Sequence, residues 1–161
     1  MRLTWNELTV PFDSDEACGL LSDWRWLVGE EVEIVLIGSL GDLFLRDESG
    51  QILWLDQGSG RLSVIAESEE EFRQLLQQPE QVNEWFLPQI VGDLLLLGRR
   101  LAPGECFGYK LPPMVGGQVE PDNFEPTSLH LHCSICGQIA RKNSEHQDGA
   151  RIVGFVEEER D

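Results

Sequence analysis

Between residues 32 and 65 four short apolar runs follow one another: Val32-Glu33-Ile34-Val35-Leu36-Ile37, Leu43-Phe44-Leu45, Ile52-Leu53-Trp54-Leu55 and Leu62-Ser63-Val64-Ile65. The links between them are Gly38-Ser39-Leu40-Gly41, Asp47-Glu48-Ser49-Gly50 and Gln57-Gly58-Ser59-Gly60. Parallel neighbours need a crossover of about a dozen residues or more, so links this short can join only antiparallel strands. The segment is expected to form a meander of four strands, and the rest of the chain must pack against it.

Helical patterns flank the meander. Ala17, Leu20, Leu21, Trp24, Leu27 and Val28 keep the three-and-four spacing of one helical face over Asp13 to Val28, with Asp13 and Glu16 placed as a capping box. Ser68-Glu69-Glu70-Glu71 reads as a second capping box, followed by the stripe Phe72, Leu75 and Leu76. Pro79 suits the first turn of a further helix through Val82, Trp85, Phe86, Ile90 and Leu94 to Leu97; Pro88 is expected to bend it, and Gly98 or Pro103-Gly104 to end it. From Pro103 to Pro126 Gly and Pro are dense, which predicts an irregular but ordered loop. Over Thr127 to Ile139 the period admits a strand or a short helix, and a strand breaking near Gly137 is the expectation. Ile152 to Val156 reads as a last strand before the acidic tail Glu157-Glu158-Glu159.

The 161 residues are one domain's worth of chain, and with 41% hydrophobic residues they can bury a core. The expected fold is α+β, an antiparallel meander packed with helices. It forms a single domain over 1–161, with a strand and helix segment at 1–30, a main body at 31–149 and a strand and acidic tail at 150–161. Charge is the strongest functional signal. Twelve Lys and Arg stand against 29 Asp and Glu, a net of −17. A small domain needs a net magnitude of only about 2–8 for solubility. Such a surface repels phosphate backbones and anionic lipid, so nucleic acid and membranes are poor partners and a basic protein is a good one. The first residues hold no apolar stretch of the signal-peptide kind, and Leu94 to Leu97 is too short to span a bilayer; a cytoplasmic protein with reduced cysteines is expected.

Signs of catalysis are few. There is no G-x-S-x-G elbow and no P-loop spacing, and neighbouring acids mean little in a chain this acidic. His130-x-His132-Cys133-x-x-Cys136 has zinc-type ligands, but no second ligand pair accompanies it among Cys18, Cys106 and His146. On a strand Cys133 points away from His130 and His132, and on a helix His130 falls away from His132 and Cys136. Core histidine and cysteines are the competing reading, and no cofactor is expected.

The stretch Cys106-Phe107-Gly108-Tyr109-Lys110-Leu111-Pro112-Pro113-Met114-Val115-Gly116-Gly117 follows Leu101-Ala102-Pro103-Gly104. It resembles a segment of the form G-Y/F-K-x-P-P-x-x-G-G in a bacterial family named for the C-terminal domain of type VI secretion immunity proteins. Gly41-Asp42-Leu43-Phe44, Gly50, Leu55-Asp56, Gly60, Ser68-x-x-Glu71-Phe72, Asn123 and Gly137-Gln138-Ile139 extend the likeness over about 31–149. The sequence differs from the family at Gln147-Asp148-Gly149, where a proline is usual before the D-G turn. The resemblance implies a mixed α/β domain akin to the SUKH group. It also implies a non-enzymatic immunity protein that binds and neutralises a basic secreted toxin, a nuclease in several cases. Tyr109, Lys110, Pro112, Pro113, Gly116 and Gly117 are the partner-binding candidates it brings. Pro112-Pro113 fixes an extended backbone and Gly116-Gly117 permits positive φ, so the same residues could simply brace the fold. The alternative function is a small regulatory or ligand-binding module with a pocket beneath the Tyr109 to Gly117 loop.

Overall fold

The computed structural model describes the backbone of residues 2–152 and the side chains of residues 2–146. The meander is present as β1 (Glu33–Ile37), β2 (Leu43–Arg46), β3 (Ile52–Asp56) and β4 (Arg61–Ala66), antiparallel throughout and in chain order. Leu43, Phe44 and Leu45 are all fully buried. Successive strand residues point to opposite faces, so both faces of the sheet must be covered.

One face carries Ile37, Leu43, Leu45, Leu53 and Leu55 against α2 (Ser14–Leu20), α3 (Arg25–Val28) and α7 (Leu129–Ile152), through Leu20, Leu21, Trp24, Leu129, Cys133 and Cys136. The other carries Phe44, Ile52 and Ala66 against α4 (Glu69–Leu75), α5 (Pro79–Phe86) and α6 (Pro88–Leu96). There the rings of Phe72, Trp85 and Phe86 lie 5.2–6.0 Å from Phe44, within the range of favourable aromatic pairs. The fold is α+β, as expected.

Several expected boundaries are corrected. The helix over 13–28 is two: Ser22 Oγ donates to the Gly19 carbonyl at 3.0 Å, and the chain turns before α3. A hydroxyl that competes for backbone carbonyls favours such a stop. The turn drives Trp24 fully into the core. Asp13 caps α2 through the Asp15 amide, while the reciprocal capping box sits at Thr4 and Glu7, heading α1 (Trp5–Leu8), where a strand-like piece was expected. After α1, Thr9 makes only a bridge with Gly38. Ser68 caps α4 by accepting the Glu71 amide, and Glu71 reaches back to the Glu67 amide.

Pro88 does more than bend its helix. It lacks a donor and disfavours helical geometry in the residue before it, and Leu87 adopts φ 46°, ψ 60° between α5 and α6. The expected loop from 103 to 126 contains β5 (Glu105–Tyr109) and β6 (Phe124–Ser128), paired antiparallel. Of the expected strand over 127–139, Thr127 and Ser128 end β6 and the rest is the first half of α7, with Gly137 inside it. Of the expected last strand, Ile152 ends α7 and Val153 to Val156 lie outside the described residues.

Candidate interaction surface

Of the six candidate residues Tyr109 ends β5 and the other five lie on the arm between β5 and β6, whose shape is set by Asn123. The Asn123 side chain accepts from the Leu111 amide at 3.0 Å and donates to the Leu111 and Gln118 carbonyls at 2.8 Å each. Pro112 is extended and buried, whereas Pro113 already begins a 3-10 turn that ends on Gly116 at φ 102°. Gly117 keeps a negative φ; it is needed because a Cβ there would run into the Leu111 backbone. Tyr109 packs on Phe124 with the rings tilted at 36° and 4.5 Å between centroids, and lies over Gly58, where any Cβ would overlap its ring. Met114 donates its amide to the Gly58 carbonyl at 3.0 Å. The space directly beneath Tyr109 and Pro113 is thus taken by the β3–β4 turn. Tyr109, Pro113 and Gly117 are half-buried, and of the six only Lys110 and Gly116 are exposed.

A polar cluster is sealed between the sheet and α7. Trp24 donates its indole N–H to Gln57 Oε1 at 2.8 Å, and the Gln57 amide donates to the Gly41 carbonyl at 2.5 Å and the Cys133 sulfur at 3.1 Å. His132 fits its ring into the space left by Gly41 and Gly108. Its Nδ1 lies 4.0 Å from the Cys136 sulfur, and its Nε2 is buried without a hydrogen-bond partner among the described residues. His130, on another side of α7, is exposed. Burial pushes the Cys133 and Cys136 thiols up to about 12 and Cys106 well above its usual range, so these thiols stay protonated. Thiolate is the species that attacks electrophiles or binds metal. Among the described residues no three His, Cys, Asp or Glu side chains come together as metal ligands, and the four cysteines are unpaired.

Among the described residues Asp42 is the carboxylate beside this cluster whose titration is strongly altered. Its carboxyl is enclosed, and burial, then the neighbouring Asp56, push its pKa well up. Hydrogen bonds from Trp54 Nε1 at 3.0 Å and the Gln57 amide at 3.1 Å oppose that shift. It orders the β1–β2 and β3–β4 turns relative to each other.

The acids on the surface gather in places. A groove of about 430 Å³ is walled by Glu30, Glu31, Glu33, Asp47 and Glu48, with Arg46 as the cation beside them. Arg46 is held by Glu33 and Glu69, which leaves the groove strongly negative. Glu30 to Glu33 stand out as a charge run in the sequence. Asp47 and Glu48 carry only a turn signal there, and β1–β2 pairing is what brings them alongside. A second groove, of about 330 Å³, has Phe12, Ala17, Leu20 and Leu129 in its floor and Asp13, Glu16 and His130 among its walls.

Among the described residues no helix is long and apolar enough to cross a membrane. In a comparison of folds the chain is similar to the crystal structure of Atu4351 from Agrobacterium tumefaciens, at 14% identity and a TM-score of 0.52. The match covers 79% of this chain and 65% of that one, so it supports the architecture and spans under two thirds of the relative. No curated protein matches the sequence. The family resemblance carried by Gly108 to Gly117 is shown over the segment that contains it: residues 66–140 match the family described as T6SS immunity protein Tdi1, C-terminal.

Proposed function

We infer that the chain is a cytoplasmic, non-enzymatic immunity protein that binds a basic secreted toxin, a nuclease on this reading, and blocks its active site or substrate groove. The observation that carries the inference is the surplus of negative charge, −17 over 161 residues, in a chain with an immunity-family segment. Nuclease surfaces that hold a phosphate backbone are themselves basic, and an acidic binder competes for the same field. A tight one-to-one complex leaves little free toxin, and steering between opposite charges makes capture fast. Whether the Tyr109 to Gly117 arm touches the toxin or braces the surface beside it, its rigidity keeps the ordering cost of binding low.

The test is size-exclusion chromatography of the chain with the toxin encoded beside it, in low and in high salt. Co-elution as a one-to-one complex is expected at low salt, with loss of toxin activity. Separate elution in both conditions rejects the reading. A ligand-binding role is favoured by one feature, the apolar groove beside Phe12 and Leu129; a metabolite that raises the melting temperature in the absence of toxin would support it.

A further inference from the structure

The last turn of α6 leaves Leu96 71% and Leu97 58% exposed, the former the most exposed large apolar side chain among the described residues. They line a groove of about 440 Å³ whose opposite wall is the 3-10 turn Pro121–Asn123 with Glu120. Asp93, Glu120 and Asp122 stand in its walls, and none of the three meets a cation within salt-bridge distance among the described residues. Arg100 is turned onto the Leu95 and Arg99 carbonyls at the end of α6. The groove therefore pairs an apolar floor with a negative rim.

We propose that this groove is the docking site for a basic amphipathic segment of the toxin, which seats an apolar side chain on Leu96 and Leu97 and sets Lys or Arg over Asp93, Glu120 and Asp122. The proposal rests on the toxin-binding reading and adds the place. Adjacent exposed leucines rimmed by polar groups form an apolar patch of the kind that marks protein interaction sites, and the carboxylates around them exclude acidic partners while attracting basic ones. Lys and Arg suit both demands, because their stems lie on apolar surface while their heads meet acids. A second copy of the chain fits poorly here, since each copy carries −17. The groove also gives the Gly108 to Gly117 motif a task. Asn123, which clamps the arm through Leu111 and Gln118, is the last residue of the 3-10 turn, so the motif holds Glu120 and Asp122 opposite α6.

The experiment measures affinity for the toxin encoded beside the chain by titration calorimetry, using the full chain and three variants. Leu96→Lys with Leu97→Lys places two cations on an exposed floor and should leave the melting temperature within a few degrees of the parent. It should weaken binding by roughly 100-fold or more, in keeping with loss of a central anchor. Asp93→Asn with Glu120→Gln and Asp122→Asn keeps the shape and should weaken binding by about tenfold at low salt. Glu31→Gln with Glu48→Gln, in the other acidic groove, should change the affinity by less than about threefold beside these effects. Unchanged affinity in the first two variants, with the parent binding tightly, overturns the site and leaves the toxin-binding reading standing. A parent that does not bind the toxin rejects that reading and the site with it. A concentration-dependent dimer of the parent that the double Lys variant abolishes assigns the groove to a second copy and overturns the proposal.

Discussion

His132 shows how much one buried side chain can dictate. The ring is 4% exposed, and burial lowers its pKa from 6.5 to about 4. Unfolding returns it to water, where it binds a proton near pH 6.5. The folded state then holds fewer protons than the unfolded one in the window between about 4 and 6.5, so this residue's contribution is intact above pH 6.5 and is lost as pH falls toward 4. At 1.36 kcal/mol per pH unit the loss amounts to about 3 kcal/mol. Denaturant unfolding of the parent and of His132→Gln from pH 7 to pH 4 checks this: the parent should lose about 3 kcal/mol more than the variant, and parallel curves would show that the ring titrates normally. Gly41 is the other half of the arrangement. It has φ 96°, and a Cβ would overlap the His132 ring. Gly50 has a similar φ of 89° with nothing nearby. Gly41→Ala should therefore cost about 3 kcal/mol and Gly50→Ala about 1, the difference being the displaced imidazole.

At the scale of elements, legibility followed the range of the interactions that decide each one. The meander was readable because the length of a link and the position of its glycine are local facts, and all four strands lie where the apolar runs predict them. α7 was misread for a specific reason. Leu129-His130-Leu131-His132 alternates, yet Leu131 and Ile135 are exposed, and the buried side chains Leu129, His132, Cys133, Cys136 and Ala140 keep a three-and-four seam. Two apolar residues on the wet side hid the helical period. The β5–β6 hairpin is illegible because its strands are short, each interrupted by Gly108 or Pro126, and separated by an arm whose shape depends on the Asn123 side chain; pairing over that distance leaves no local mark. The candidate arm residues were legible as a motif, while the Leu96 and Glu120 groove was not, since it needs α6 and the 3-10 turn to be neighbours in space. Gly137 gives this scale its prediction. In a helix interior Gly→Ala ordinarily stabilises by about 1 kcal/mol. Here a Cβ would stand 2.6 Å from the Asp23 carbonyl oxygen, so α7 would have to move off the α2–α3 connection. The expected outcome for Gly137→Ala is a net loss of about 2 kcal/mol in urea unfolding, and a gain would mean that the helix sits farther from Asp23 than described.

For the whole molecule the governing quantity is the imbalance of charge, and it acts on the fold and on the complex with opposite sign. Among the described residues Glu30, Glu33, Glu69 and Glu145 meet an Arg side chain, and the remaining acids have no such partner to offset their mutual repulsion. The pairs themselves are largely exposed and contribute little. Repulsion among like charges therefore outweighs the pairs, and it is relieved when salt shortens the screening length from about 8 Å at 0.15 M to about 3 Å at 1 M. The melting temperature of the isolated chain should rise by a few degrees over that interval, corresponding to about 1 kcal/mol for a domain of this size. On the proposed toxin-binding reading the same ions shield the field that would draw a basic toxin in, so the association rate should fall about tenfold or more over the range in which the fold gains. Calorimetry of the chain alone and stopped-flow mixing with the toxin, run in the same salt series, read the two responses side by side. A melting temperature that falls with salt would mean that ion pairs dominate the surface, and an association rate indifferent to salt would mean that the acids do not face the toxin. Opposed responses are what the proposed toxin-binding reading requires of a surface that carries this much unpaired negative charge.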